Sequence, residues 1–144
     1  MVSGLLTSLL GTYEVTVHGR DPGEGAGAQG LHADRPAGRV HDVDGVTVLW
    51  MLDDFLDGNG ATRVVPRSHR GAAAVPRHLA RSGLRHPDQI VVTGRPGDAL
   101  VFDAHLWHSG QENTSGRRRR AVQMVATRSS LVFAGWAHAG ADMP

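Results

Sequence analysis

The sequence predicts an antiparallel all-β domain, a sandwich or barrel best described as a jelly roll, with one short helix. Three observations carry this reading. Glycine supplies 19 and proline 7 of the 144 residues, a density of turn formers that favours short strands over long helices. The apolar stretches are short and either alternate with polar residues or are rich in β-branched ones. Turn signals such as DGNG (57–60) and NTSG (113–116) separate them.

Taken in order, TYEVTVH (12–18) alternates and reads as a strand. RDPGEGAGAQG (20–30) is a glycine-rich loop, and QGLHAD (29–34) a short extended piece. PAGRVHDVDG (36–45) is a second loop. VTVLWMLDDF (46–55) is apolar and β-rich, as a central strand should be. The Asn-Gly pair of DGNG predicts a tight turn, with ATRVVP (61–66) as the returning strand, stopped by Pro66. The predicted helix falls within 70–88, on VPRHLARSG, with Pro76 early and Gly83 as its stop. QIVVT (89–93) and DALVFDAHLWH (98–108) are strands, and RAVQMVATR (120–128) is the last.

The length fits one domain over 1–144 with one real core. A formal net charge of +1 gives no global field for nucleic acid or anionic lipid. No apolar run approaches the ~20 residues that span a bilayer, and MVSGLLTSLLGTYEV lacks the basic start of a secretory leader, so a cytoplasmic location is expected. The absence of cysteine excludes disulfides, thiolate metal sites and Cys nucleophiles, and leaves His, Asp and Glu as metal donors.

Two short patterns could carry chemistry. In an extended HAD, His32 and Asp34 point to one face, so an imidazole and a carboxylate can hold one ion from two sides. Alone, the pair reads first as two turn residues. His108 closes an apolar strand, where a histidine is as readily structural. Together, two histidines and one aspartate are the donor set of a facial triad that leaves three octahedral positions open.

The run RRRR (117–120) is a third candidate. An antiparallel hairpin about NTSG would return strand 118–128 beside strand 98–108, with residues 119, 121, 123, 125 and 127 on one face. Arg119 then points inward, suited to a buried carboxylate that its guanidinium can grip in two places. Arg117, Arg118 and Arg120 read as a solvated basic patch. Without interleaved aromatics the run does not read as a nucleic-acid surface.

The blocks AQGLHAD, VLWMLDDFLDGNGATRVVPRSHRG and GDALVFDAHLWHSGQENTSGRRRRAV, in this order and spacing, resemble the phytanoyl-CoA dioxygenase family over roughly residues 12–128. The resemblance implies a double-stranded β-helix, a jelly-roll variant, and an Fe(II)- and 2-oxoglutarate-dependent oxygenase that consumes O2 and releases succinate and CO2. It implies His32, Asp34 and His108 as metal ligands and Arg119 as the clamp on the distal carboxylate of 2-oxoglutarate. Trp50 matches a tryptophan that lines the co-substrate pocket, and Gln29 a further co-substrate contact. Related halogenases lack the carboxylate ligand, so Asp34 favours hydroxylation of a small molecule, or a sibling outcome such as desaturation, over halogenation.

The chain departs from the family pattern at three places. Arg67 stands where PGSH has glycine, which predicts a changed loop, because arginine does not adopt positive φ cheaply. Gly110 stands where a serine is common, with Ser109 one residue earlier. The N-terminal region usual in the family is missing, which implies either a truncated form, or a second copy, a partner subunit or a minimal architecture that covers the exposed sheet. The alternative from another class is a non-catalytic jelly roll that binds a ligand or partner. His69, His105, His41, Trp107, Asp53 and Asp54 read as structural or surface residues.

Overall fold

The computed structural model describes residues 2–23, 25–35, 43–71, 73–81 and 84–129. Two antiparallel sheets face each other. β1 (Tyr13–Arg20), β2 (Gly45–Met51), β5 (Ala99–Asp103) and β7 (Ala121–Arg128) form one, in the order β1-β7-β2-β5. β3 (Thr62–Val64), β4 (Ile90–Val91) and β6 (His108–Gly110) form the other, in the order β4-β3-β6. This is the predicted jelly roll, mostly β with one α-helix.

The helix is not where the sequence pattern suggested. α1 spans Val2–Leu10, with Leu6 and Leu10 buried one turn apart against Val46, Val48 and Ala126. Gly11 ends it at φ 68°, its amide donating to the Thr7 carbonyl at 2.9 Å, as a left-handed helix cap requires. Within 70–88 the described residues form no α-helix: Arg70 ends a short 3-10 turn (Ser68–Arg70), and further on the amides of Leu79 and Ala80 both donate to the Pro76 carbonyl. A longer helix there would lose the contact that fixes this segment: the Leu79 carbonyl accepts from the Leu31 amide at 3.0 Å. The approach is so close that a Cβ on Gly30 would lie 1.9 Å from the Ala80 oxygen. Glycine is therefore required immediately before the strand-like piece that carries His32.

The apolar run 46–55 does become a central strand. β2 is buried on both faces and paired on both edges. Its even residues Val46, Val48 and Trp50 face α1, while Thr47, Leu49 and Met51 face the other sheet. Met51 and Leu49 pack there with Phe55, Ala61 and Ala121.

Two predicted pairings are corrected. β3 does not return beside β2 after DGNG; it enters the second sheet and pairs with β4 and β6. Strand 98–108 is not one strand beside 118–128. It breaks after Asp103, where the Leu106 amide donates to the Asp103 carbonyl at 2.9 Å and the His105 amide to Asp103 Oδ1 at 2.8 Å. The chain thereby switches sheets: β5 pairs with β2, β6 with β3, and β7 inserts between β1 and β2. This switch carries His108 across the interior, to face the strand-like piece at His32.

Arg67 departs from expectation in the opposite sense. Its φ is 67°, the only positive value at a non-glycine among the described residues. The loop keeps the glycine-type backbone and bears the strain of a side chain in the left-handed region. β1 leaves Val15 and Val17 exposed at the sheet edge. Among the described residues no helix is long and apolar enough to cross a membrane.

Candidate metal centre and anion pocket

Backbone pairing brings the first two candidate ligands together. The His32 amide donates to the His108 carbonyl at 3.0 Å, and the His108 amide to the His32 carbonyl at 2.8 Å. Residues opposed in this way put their side chains on the same side, and the ring centroids lie 4.4 Å apart. Asp34, two residues on from His32, completes a group whose ligand atoms all lie within 4.8 Å of one another. Asp34 Oδ2 is 3.6 Å from His108 Nε2, too long for a hydrogen bond and short enough for one ion to serve both atoms.

The surroundings aim these atoms. His32 Nδ1 lies 2.9 Å from the Gly30 carbonyl, and His108 Nδ1 2.8 Å from that of Leu106. A carbonyl only accepts, so each Nδ1 carries the proton and each Nε2 keeps its lone pair toward the shared point. Burial pushes the His108 imidazole below its ordinary pKa, against the pull of Asp34, which favours the neutral ring that binds metals. Thr47 Oγ donates to Asp34 Oδ2 at 2.6 Å and Gln123 Nε2 to the same oxygen at 3.2 Å. Such outer hydrogen bonds fix a ligating carboxylate. Two imidazoles and a carboxylate, with no sulfur, form a donor set that fits a first-row divalent ion and leaves one side open.

That side faces a cavity of about 320 Å³ between the sheets, lined by His32, Thr47, Leu49, Phe102, His108 and Arg119 among others. Arg119 is only 5% exposed, and its guanidinium sits 4.5 Å above the Phe55 ring. Its Nε is buried with no hydrogen-bond partner, and no carboxylate pairs with it among the described residues. Burial first, and then the neighbouring Arg20, pull its pKa down to about 10, so it remains charged at neutral pH. The flanking arginines behave as surface residues: Arg118 pairs with Asp21, and Arg120 binds Asp53 at 2.8 Å. A buried guanidinium on a cavity wall without an acid partner fits an anionic ligand.

Gln29 lies on the cavity wall, its Oε1 accepting from the Gly110 amide at 2.9 Å. A Cβ on Gly110 would lie 3.2 Å from that oxygen, so a serine there would crowd Gln29. Trp50 is a correction. As an even residue of β2 it packs on the α1 face, away from the cavity, and Thr47 and Leu49 hold the cavity positions of that strand. His105 turns away, as expected, to bind Asp44 at 2.9 Å. Trp107 packs beside Leu31, Val65 and Leu79. Asp53 receives the Arg120 amide and guanidinium, and Asp54 lends its carbonyl to Asn59. His41 and the C-terminal tail lie outside the described residues.

Sequence reasoning missed Thr47, Gln123, Arg20 and Arg63. The first two had a signal, since each occupies an inward position of a predicted strand where an apolar side chain would be ordinary. Arg63 is 2% exposed and donates from Nε to Ser109 Oγ at 3.1 Å and from Nη2 to the Gln29 carbonyl at 3.3 Å. It ties together the two segments that carry His32 and His108.

Residues 10–121 match the phytanoyl-CoA dioxygenase (PhyH) family, and the chain belongs to it. An uncharacterized protein of Mycobacterium tuberculosis, Rv1501, is 36% identical over 101 residues, covering 69% of this chain and 34% of its own length. The Fe(II)/2-oxoglutarate-dependent dioxygenase nvfF of Aspergillus novofumigatus is 34% identical over 111 residues, covering 72% of this chain and 35% of its own. The chain thus spans about a third of the length of these curated relatives. Among solved structures, EvdO2 of Micromonospora carbonacea var. aurantiaca complexed with 2-oxoglutarate superposes with a TM-score of 0.69 at 19% identity, covering 88% of this chain and 63% of that one. That likeness establishes the fold.

Proposed function

We propose that this chain carries the catalytic jelly roll of a non-haem Fe(II)- and 2-oxoglutarate-dependent dioxygenase that hydroxylates a small molecule at a C–H bond, releasing succinate and CO2. One observation carries the reading. Two imidazoles grouped with the Asp34 carboxylate line the same cavity whose wall buries a guanidinium without an acid partner. Membership of the family and the name of the Aspergillus relative support it.

His32, Asp34 and His108 would hold Fe(II), which when bound supplies the activation of O2 that no side chain of this set can provide. Gly30 and Leu106, through their carbonyls, keep both Nε2 lone pairs available. Thr47 and Gln123 hold the Asp34 carboxylate toward its partners. Arg119 would take the distal carboxylate of 2-oxoglutarate, where displacing water from a buried fork makes each charge-assisted bond worth about 1.5–3 kcal/mol. Leu49 and Phe102 line the same space with apolar surface and limit access of water.

The test is succinate formation, followed by mass spectrometry, with Fe(II), 2-oxoglutarate and air. Slow succinate release without added substrate is expected, absent from His32→Ala and from samples under nitrogen. A folded, Fe(II)-loaded protein that forms no succinate under any of a panel of small molecules would support the non-catalytic reading instead.

A further inference from the structure

Arg20 is a cation that this reading leaves without a task. It ends β1, opposite Ala121 of β7, and lines the same cavity as Arg119. Its Nε donates to Gln123 Oε1, whose amide then presents Nε2 to Asp34. That single bond turns the guanidinium so that its two outer nitrogens have no protein partner among the described residues. The acid on the cavity wall, Asp21, is paired with Arg118. Two like charges line one cavity, and after burial the proximity of Arg20 is the second cause of the lowered Arg119 pKa.

The charge balance of the cavity sharpens the point. Arg20 and Arg119 bring two positive charges, a divalent ion two more, and Asp34 one negative. A bound 2-oxoglutarate carries two negative charges, so the filled site keeps an excess positive charge, located on Arg20. Arg20 is solvent-exposed as well as cavity-lining, so that charge is reachable by a ligand arriving from solvent.

We infer that Arg20 is a substrate-recognition residue, and that the oxidised substrate is a small molecule bearing an oxyanion, a carboxylate or phosphate, that pairs with its outer guanidinium nitrogens. This rests on the oxygenase reading. It adds a substrate class to it and separates the two arginines, Arg119 for the co-substrate and Arg20 for the substrate. Because Arg20 also orders Gln123, an anion seated on it would steady the hydrogen bond to Asp34.

The experiment uses the Zn(II)-loaded protein saturated with 2-oxoglutarate and titrated with inorganic sulfate, a simple oxyanion that ligates zinc poorly. The 15N resonances of the arginine Nε groups are followed, with that of Arg20 identified by its loss in Arg20→Gln. A saturable shift of the Arg20 signal is expected, with the Arg119 signal unmoved, and Arg20→Lys should retain sulfate binding that Arg20→Gln loses. Calorimetry should find the 2-oxoglutarate affinity of Arg20→Gln close to that of the parent. The inference is overturned if sulfate leaves the Arg20 signal unchanged or moves Arg119 instead. It is equally overturned if Arg20→Gln loses about tenfold or more in 2-oxoglutarate affinity, which would give Arg20 to the co-substrate. Failure of the parent itself to bind 2-oxoglutarate would refute the oxygenase reading, a result distinct from a failure of sulfate alone.

Discussion

The imidazoles of His32 and His108 stand 4.4 Å apart because their own backbones are bridged, each amide donating to the other's carbonyl. Two candidate ligands far apart in the chain are thus set by backbone pairing, the stiffest element available. The side chains need only rotamer choice, and the carbonyls of Gly30 and Leu106 make that choice. Asp34 is held differently, by Thr47 and Gln123.

The difference yields a first prediction. Thr47→Val and Gln123→Leu keep shape but free the carboxylate, and each should weaken divalent metal binding by about 10–100-fold, the range for lost outer hydrogen bonds. Competition against a chromophoric chelator measures this. Unchanged affinity in both variants would show that Asp34 needs no such support.

Arg119 and the metal ligands should separate by function. Arg119→Gln removes the charge while retaining much of the contact with Phe55, and should cost about 10–100-fold in 2-oxoglutarate affinity. Metal affinity should stay near that of the parent. His108→Ala should lose both. Calorimetry with each ligand in turn distinguishes the patterns.

Much of this arrangement was legible in the sequence, and the failures have identifiable causes. His-x-Asp in an extended piece, a histidine closing an apolar strand and one inward arginine all reduce to local periodicity, which the fold preserves. Arg119 is buried and its neighbours are exposed, as alternation required. Pairing partners are nonlocal, so the hairpin pattern predicts β7 beside β5, whereas β2 lies between them. The face of Trp50 followed from resemblance, whereas strand alternation with Thr47 and Leu49 would have turned it away. The Pro76 and Gly83 punctuation points to a helix within 70–88, although Leu6, Leu10 and Gly11 carry a better signal. Gln123 stood at a legible inward position, but its partner Asp34 and the contacts of Arg63 exist only once distant strands meet.

The backbone of Arg67 gives a third prediction. A non-glycine side chain at φ 67° costs about 1–2 kcal/mol, part of which is offset by the greater freedom of glycine in the unfolded chain. Arg67→Gly should therefore stabilise the fold by about 0.5–1 kcal/mol, read as a raised urea midpoint with an unchanged slope. A lowered midpoint would mean that the Arg67 side chain contributes more than its strain.

Acid should loosen the turn before β7. The side chain and backbone amide of Arg120 hold the Asp53 carboxyl well below the usual carboxylate range. A lowered folded pKa adds stability that is complete above the ordinary carboxylate value near pH 4 and is lost as pH falls through the lowered one. Asp53→Asn should be less stable than the parent at pH 7, and the gap should close as the pH is taken below about 4. Urea unfolding at both pH values measures it, and a gap independent of pH would assign the effect to packing.

The central claim is that His32, Asp34, His108 and Arg119 form one site for Fe(II) and 2-oxoglutarate together. An anaerobic titration of the metal-free protein with Fe(II) and then 2-oxoglutarate, followed in the visible range, tests it most directly. The account predicts a charge-transfer band that appears only when both are present, is absent from His108→Ala, and needs more 2-oxoglutarate in Arg119→Gln. A folded protein that binds Fe(II) and gives no band at saturating 2-oxoglutarate would contradict it.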